Sequence, residues 1–396
     1  MKIIAIVDNN IKSGGGFNQA LNAILQMQSL CKDHFEFEVL TSKKENLKVF
    51  LDIGIMGEYY KYSIFDSLIS KISQNIFWIT LQTRLKWLSP LEKKLIACGC
   101  DLVYFPTPGG ICGALQKLNY ILTIWDLSHR DTPEFPEVRD FGSFALRENN
   151  FKNYLAQALV VITDSDELSR LASSRYGIDP DRFIAIPFSP SPTLKSDISR
   201  SAENILEKYH LAPNYFYYPA QFWAHKNHIR IIEALAILKQ NSDWCPQVIF
   251  TGQDYGNLAY LKRAVQEKQL TNQVSFLGFV PMEDIRGLYE GAHAVLMPTY
   301  FGQTNLPPLE AWSLGRPLIY SDLFRNQAHD AAILVNPDSA SDIAKAMLKT
   351  LDTNICDELI KAGASRLDQV NLEREVAAQL LYKKLSIFSL RRKCWP

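Results

Sequence analysis

With 396 residues, the chain is too long for one ordinary hydrophobic core and reads as two domains of similar size. Apolar residues make up 47% and charged residues 21%, an ordinary globular balance, and 42 Lys plus Arg against 42 Asp plus Glu give no electrostatic ground for a nucleic-acid partner. No stretch of about 20 apolar residues occurs, so no spanning segment is expected, and seven scattered cysteines without a CxxC pair read as reduced thiols of a cytoplasmic protein.

In chain order, the opening apolar run ends at Asp8 and is too short for a signal segment. Ile3–Val7 reads as a buried strand and Asn18–Cys31 as a helix. Phe35–Leu40, Leu102–Phe105, Tyr120–Ile124 and Leu159–Thr163 read as further strands, with a helix over Ser165–Tyr176. Strand then helix, repeated, predicts a parallel sheet covered on both faces. Ile184–Pro187 ends this set, and the Pro- and Ser-rich run Phe188–Thr193 reads as a linker. The pattern then restarts. Strands are predicted over Tyr215–Pro219, Gln247–Thr251, Val274–Leu277, Ala294–Met297 and Leu318–Ser321. Helices are predicted over Asn227–Lys239, Leu258–Lys268, Met282–Gly291 and Pro308–Leu314. The expected organisation is one domain over 1–188, a second over 200–372, and a C-terminal helix with a basic tail over 373–396. Two such α/β halves would line a shared cleft at the carboxyl ends of their strands.

Four segments carry candidate chemistry. The first runs Pro298-Thr299-Tyr300-Phe301-Gly302-Gln303-Thr304-Asn305-Leu306-Pro307-Pro308-Leu309-Glu310. Here a strand ends, a polar turn follows, and a helix starts at two prolines, which suit a first turn. Free amides around Asn305 to Leu309 are then expected to point out of the helix start, where they favour phosphate. Glu310 would repel a diphosphate. It either takes two adjacent sugar hydroxyls or complements the helix dipole, and the residues alone leave both open. The second segment places Lys226 at a strand-to-helix turn after Tyr217-Tyr218-Pro219, where it either neutralises a phosphate as a point charge or is merely solvated. The third is Ser13-Gly14-Gly15-Gly16-Phe17-Asn18, a glycine loop before a helix, either a phosphate approach or a tight turn. The fourth sets Asp126 and His129 just past a strand. They either bind sugar hydroxyls and handle an acceptor proton, or Asp126 caps the following turn and His129 lies on the surface.

Leu306-Pro307-Pro308-Leu309-Glu310-Ala311 resembles the end of the Glu-x7-Glu motif of the retaining GT-B glycosyltransferases of family 4, the glycosyl transferases group 1. The resemblance implies an α/β GT-B fold of two Rossmann-like domains facing each other across a cleft. It implies that Glu310 holds the ribose hydroxyls of a nucleoside-diphosphate-sugar donor and that Lys226 meets the diphosphate. Thr304, Asn305 and Leu306 would complete the donor loop, and Gly15 and Gly16 would face the donor phosphates. Gly278 and Val280, in Val274–Pro281, would receive the base through their backbone. Two positions depart from the family: Gly302 stands where the first glutamate belongs, and Gln221 where a second cation, an arginine, belongs. Gln303 and Thr304 are neighbouring polar groups, and His225 and Arg325 are candidate replacement cations. Asp126 matches the family's His-Asp-Leu segment, with the histidine displaced to His129.

The reading is therefore sugar transfer to a saccharide or lipid-linked saccharide acceptor with retention, in bacterial surface polysaccharide assembly, with catalysis placed on Asp126, His129 and Lys226. No cofactor and no metal site are expected. A nucleotide-sugar epimerase and an inactive binding subunit are the alternatives. A dinucleotide dehydrogenase fits less well, because the glycine loop lacks its spacing. The basic, Trp-bearing stretch Ser70–Lys94 and the tail Leu390–Trp395 read either as surfaces for peripheral contact with the cytoplasmic membrane face or as a packed helix and a frayed end.

Overall fold

The apolar runs become parallel strands. In the computed structural model, which describes residues 1–10, 15–73, 80–81, 84–191, 194, 200–242 and 244–395, seven strands form one sheet. They are β1 (Lys2–Val7), β2 (Glu36–Thr41), β3 (Gly57–Tyr59), β4 (Leu102–Phe105), β5 (Asn119–Thr123), β6 (Val160–Thr163) and β7 (Phe183–Ala185), in the order β3-β2-β1-β4-β5-β6-β7. Six more, β8 (Tyr215–Pro219), β9 (Val248–Thr251), β10 (Val274–Gly278), β11 (Ala292–Met297), β12 (Leu318–Ser321) and β13 (Ile333–Val335), form a second sheet in the order β10-β9-β8-β11-β12-β13. Each pairing is parallel, as when Lys2 to Val7 run beside Glu36 to Thr41. Parallel strands covered on both faces are apolar throughout. Accordingly Ile3 to Val7 and Tyr215 to Tyr218 are almost wholly buried.

The chain divides into two units. The first gathers Met1–Asp131, Phe141–Pro187 and Glu373–Pro396, and the second gathers Thr132–Asp140 and Phe188–Leu372. Side-chain alternation splits the first unit's core in two. Ile4 and Ile6 join Val103, Phe105, Leu122 and Val161 on one face. Ile3, Ala5 and Val7 join Leu102, Tyr104 and Ile121 on the other. Two segments leave the linear division expected from the sequence, each for a packing reason. The last helix, Thr353–Arg392, adds Ala377, Leu381, Leu385 and Phe388 to the second of these clusters; their spacing sets one face of a helix against the sheet. Residues Thr132–Asp140 join the second unit, where Phe135 packs edge-on to Phe301 with ring centroids 5.2 Å apart.

Local chemistry sets the element ends. Ser165 Oγ accepts the amide of Leu168 at 3.2 Å and starts the helix Asp166–Tyr176, which Gly177 ends at φ 64°. The first helix begins at Gly15, three residues before the expected start at Asn18. The stretch Ser70–Lys94 is not one helix. Ile64–Ile72 ends within it and Ser89 caps a new helix, Pro90–Ala97, while Ile76, Phe77, Trp78 and Ile79 lie outside the described residues. Trp87 is 53% exposed. The basic tail is held within the first unit by Arg392, which lies 3.3 Å from Asp101 and over the ring of Trp395. Among the described residues, no helix is long and apolar enough to cross a membrane.

Candidate functional site

In an open parallel sheet, ligands gather at the carboxyl ends of strands where the chain order reverses. In the second sheet that point lies between β8 and β11, neighbours from which the later strands run to opposite edges. The loops that follow these two strands hold Lys226 and residues 298–305.

After β8 the chain crosses to the end of β9. Ala220 donates its amide to Thr251 O at 3.0 Å and Phe222 to Gln253 O at 2.9 Å. Gln221 is fastened here, its Oε1 accepting the amide of Gln253. The position that the family fills with an arginine thus carries a neutral side chain with a structural bond. A turn over Ala224–Lys226 follows, and Tyr218 donates its hydroxyl to Lys226 O at 2.8 Å. Lys226 itself is half-buried. Asn227 then takes the left-handed conformation, φ 60°, and starts the helix His228–Asn241. Its buried Nδ2 donates to Pro298 O at 2.9 Å and to Pro337 O at 2.8 Å, tying the turn to the ends of β11 and β13. His228 is fully buried, and that burial pushes its imidazole down to about 3, so it is neutral at physiological pH.

His225 is not a spare cation. It is buried, both its ring Nδ1 and its amide engage Glu137, and its ring stacks on Phe301 at 3.8 Å with 5° between planes. Its carbonyl accepts the amide of Tyr300 at 3.0 Å and the hydroxyl of Thr299 at 3.3 Å. His225 therefore staples the Lys226 turn to the loop after β11. Glu137 loses solvent by burial, but the bonds from His225 outweigh that cost and hold its carboxyl below the usual range. Arg325 is exposed, its Nε donating to Asp322 O at 3.3 Å.

The loop after β11 departs from expectation in which amides it offers. The helix spans Leu306–Ser313. The amide of Asn305 is donated to Gln327 Oε1 at 2.8 Å, and Gln327 returns a bond to Asn305 O at 2.7 Å. Tyr320 donates to Gln327 Oε1 and accepts from Asn305 Nδ2, both at 2.8 Å. Since Pro307 and Pro308 carry no N–H, and Leu309 stands four residues past the N-cap Asn305 where the first intrahelical bond is made, the first turn leaves the amide of Leu306 for a ligand. Thr304 stands half-buried just before them. Gly302 has φ +98°, and a Cβ there would lie 3.0 Å from Thr304 O and 3.2 Å from the side-chain amide of Asn305. The backbone at the missing glutamate's position is thus shaped for glycine.

Glu310 is 6% exposed and its Oε2 accepts the hydroxyl of Tyr289 at 2.6 Å. Burial raises its carboxyl above the usual range, more than the Tyr289 bond lowers it. At the other edge, Gly252 donates to Gly278 O at 2.8 Å, and its φ of +150° and the 2.4 Å from its Cβ position to Ala220 O admit only glycine. Gly278 has φ +68° with open space at its Cβ position, and Val280 is buried.

The first unit places the remaining candidates. Asp126 Oδ1 accepts the amide of Ser128 at 2.8 Å, so it caps the turn Ser128–Asp131, and it pairs with Arg147 at 2.7 Å. Burial opposes its charge, yet Arg147 prevails and brings its carboxyl down to about 2. His129 corrects the expectation most directly. It is fully buried, with Nε2 3.1 Å from Glu148 and Phe151 edge-on to its ring, so it has no open side for a saccharide. Burial lowers its basicity. Gly15 and Gly16 open the helix Gly15–Cys31, while Ser13 and Gly14 lie outside the described residues. Sequence reading missed Glu137, Tyr289 and Gln327. Gln327 and Tyr289 sit 22 and 21 residues from their motif partners Asn305 and Glu310, with no local signal, whereas Glu137 directly follows the proline-flanked run Pro133-Glu134-Phe135-Pro136.

Comparison with known proteins bears on the same region. Over 262 residues, 64% of this chain and 67% of the relative, the sequence is 24% identical to O-antigen chain mannosyltransferase B of Escherichia coli. Over 181 residues, 45% of this chain and 47% of the relative, it is 29% identical to O-antigen chain mannosyltransferase RfbU of Salmonella typhimurium. The chain thus spans about two thirds and about half of the length of these curated relatives. Its fold is similar to that of Anabaena Alr3699/HepE in complex with UDP-glucose, with a TM-score of 0.71 over 97% of this chain and 100% of that one, at 17% identity. Two parallel-sheet, Rossmann-like α/β domains of the GT-B kind are therefore present. Residues 202–366, the stretch that holds the Lys226 turn, the loop after β11 and Glu310, match the family of glycosyl transferases group 1.

Proposed function

We propose that the protein is a glycosyltransferase that moves a sugar from a nucleoside-diphosphate sugar to a saccharide or lipid-linked saccharide during surface polysaccharide assembly. The observation that carries this reading is the family match over 202–366, which falls on the Lys226 turn and the Leu306 helix start at the β8/β11 reversal. The two mannosyltransferase relatives favour mannose as the sugar.

In the mechanism we infer, the bond from the anomeric carbon to the β-phosphate oxygen breaks while the acceptor oxygen bonds to that carbon. The Lys226 ammonium and the Leu306 amide stabilise the charge that grows on the departing diphosphate, and preorganised donors of this kind are usually the main catalytic term. The acceptor proton passes to a departing phosphate oxygen on the same face, which gives retention without a covalent carboxylate. Glu310 takes the ribose hydroxyls, exchanging its bond with Tyr289 for them. Backbone groups of Gly278 and Val280 receive the base. Asp126 serves the acceptor side, and the chemistry needs neither a metal nor a cofactor. The reaction takes place at the cytoplasmic membrane face.

Lys226→Ala tests this. Its kcat/KM with donor and acceptor should fall at least about tenfold, the scale of 1.4 kcal/mol. Undiminished turnover would remove Lys226 from the site, and an isomerised donor formed without acceptor would replace transfer by epimerisation.

A further inference from the structure

A cavity of about 690 Å³ opens beside the Lys226 turn, wholly within the second unit, and the mechanism above leaves it unused. It adjoins the proposed donor site through Ala224 and Asn227 on one side and Tyr300 on the other. Its volume falls in the range of small-molecule sites.

The wall chemistry narrows what enters. Glu134, Glu233, Asp322 and Asp338 stand against one guanidinium, Arg230, which Glu233 already holds at 2.6 Å. Four negative groups less one positive leave a formal balance of minus three, so a diphosphate is repelled from this space. A bound metal ion does not fit either. Among the described residues no three His, Cys, Asp or Glu side chains converge tightly enough to hold one, so these carboxylates are spread around the wall. The same wall carries the rings of Phe135, Tyr260 and Tyr300, and the Tyr300 hydroxyl donates to Asp338 at 2.6 Å. A wall that offers both separated acceptor oxygens and ring surfaces suits an uncharged ligand that presents many hydroxyls and apolar C–H faces.

We propose that this cavity is a subsite for an uncharged sugar residue of the acceptor chain, next to the site of transfer. The assignment rests on the glycosyl-transfer reading, and it selects neutral over anionic saccharides as acceptors. Hydroxyls donate to Asp338 and its neighbouring carboxylates while the sugar face packs on Tyr300 or Phe135.

The test uses the full chain with saturating UDP or GDP, whichever raises its melting temperature, titrated calorimetrically with mannotriose, maltotriose and chitotriose. Asp338→Ala removes an exposed acceptor, and Leu323→Trp fills the mouth from a side chain that is already 55% exposed. Both changes spare the buried core. At least one trisaccharide should bind, and each variant should weaken it about tenfold, the scale of one charge-assisted hydrogen bond. The nucleotide shift should be the same in both variants. Binding that is unaffected by both substitutions, or no binding by any of the three sugars, overturns the subsite. If no nucleotide binds, the donor reading fails separately, and the same titration without nucleotide decides the subsite by the same two outcomes.

Discussion

Asn227 offers the sharpest test of how the fold holds the proposed cation in place. Its side chain is 3% exposed and donates two hydrogen bonds, at 2.9 and 2.8 Å, to the carbonyls of Pro298 and Pro337. Asn227→Ala leaves both carbonyls without that donor, and an unsatisfied buried group costs about 1–3 kcal/mol. Pro337 O keeps a long contact from the Tyr300 hydroxyl at 3.3 Å, which puts its share at the low end. The left-handed φ of 60° adds about 1 kcal/mol once alanine replaces asparagine. The sum is a loss of about 3–5 kcal/mol. Asn227→Gly loses the same bonds but meets no steric penalty at the left-handed φ, so it should be about 1 kcal/mol milder. Asn227→Asp keeps the shape but sets acceptors against acceptors, and should be no milder than alanine.

Because two units need not unfold together, the readout is native-state hydrogen exchange on peptides from β8 and β11, with β1 as an internal reference. Protection should fall in β8 and β11 and stay constant in β1. Alanine within about 0.5 kcal/mol of wild type, the range of an unremarkable surface change, would refute the tether. Equal losses for alanine and glycine would refute the conformational part alone.

Two further outcomes follow from the same geometry. Gly302→Glu, which restores the family's first glutamate, should lower stability by at least about 1–2 kcal/mol, because φ +98° and a Cβ 3.0 Å from Thr304 O leave it no relaxed conformation. A variant with raised turnover and an unchanged melting temperature would contradict this. In the first unit, Asp126 is held at about 2 against an ordinary 3.8, so its ion pair stabilises the fold above about pH 4 and that contribution disappears as pH falls toward 2. About 2 kcal/mol is at stake, and Arg147→Met should flatten the stability of this unit over that window, as read by urea midpoints between pH 2 and 5. An unchanged acid profile in Arg147→Met would show that the pair contributes nothing.

Most of the sheet was legible because parallel strands buried on both faces leave short apolar runs such as Leu102–Phe105 and Leu318–Ser321, whose bounds match the residues. The three-residue edge strands β3 and β13 were not, since Gly57–Tyr59 and Ile333–Val335 are too short to show a period. The two candidate loops could be placed because strand end, turn and helix start are local signals. What those loops do with their polar groups could not. Asn305 looked like an open amide, but Gln327, 22 residues on, takes its N–H. His129 looked accessible three residues past Asp126, but Glu148 and Phe151 from the helix Ser143–Tyr154 close over it. In each case the deciding partner comes from another element, which spacing alone does not reveal.

The two departures from the family motif bear on whether the site is a working one. A binding relic that had lost its chemistry would be under no demand to reuse the lost positions. Here each is built into the fold. Gln221 secures the amide of Gln253 at the end of β9, and Gly302 supplies a backbone turn that no glutamate adopts without strain. Electrostatics also stays coherent. His225 is committed to Glu137 and Arg325 to a backbone carbonyl, which concentrates the demand for positive charge on Lys226 and on the Leu306 amide that the prolines leave. A diphosphate gripped by one ammonium is held less tightly than one gripped by two cations, but catalysis depends on what is gained as charge grows on the leaving group, not on how firmly the ground state is held. The single lysine is therefore consistent with turnover, and it makes Lys226 the residue on which the proposed reaction turns.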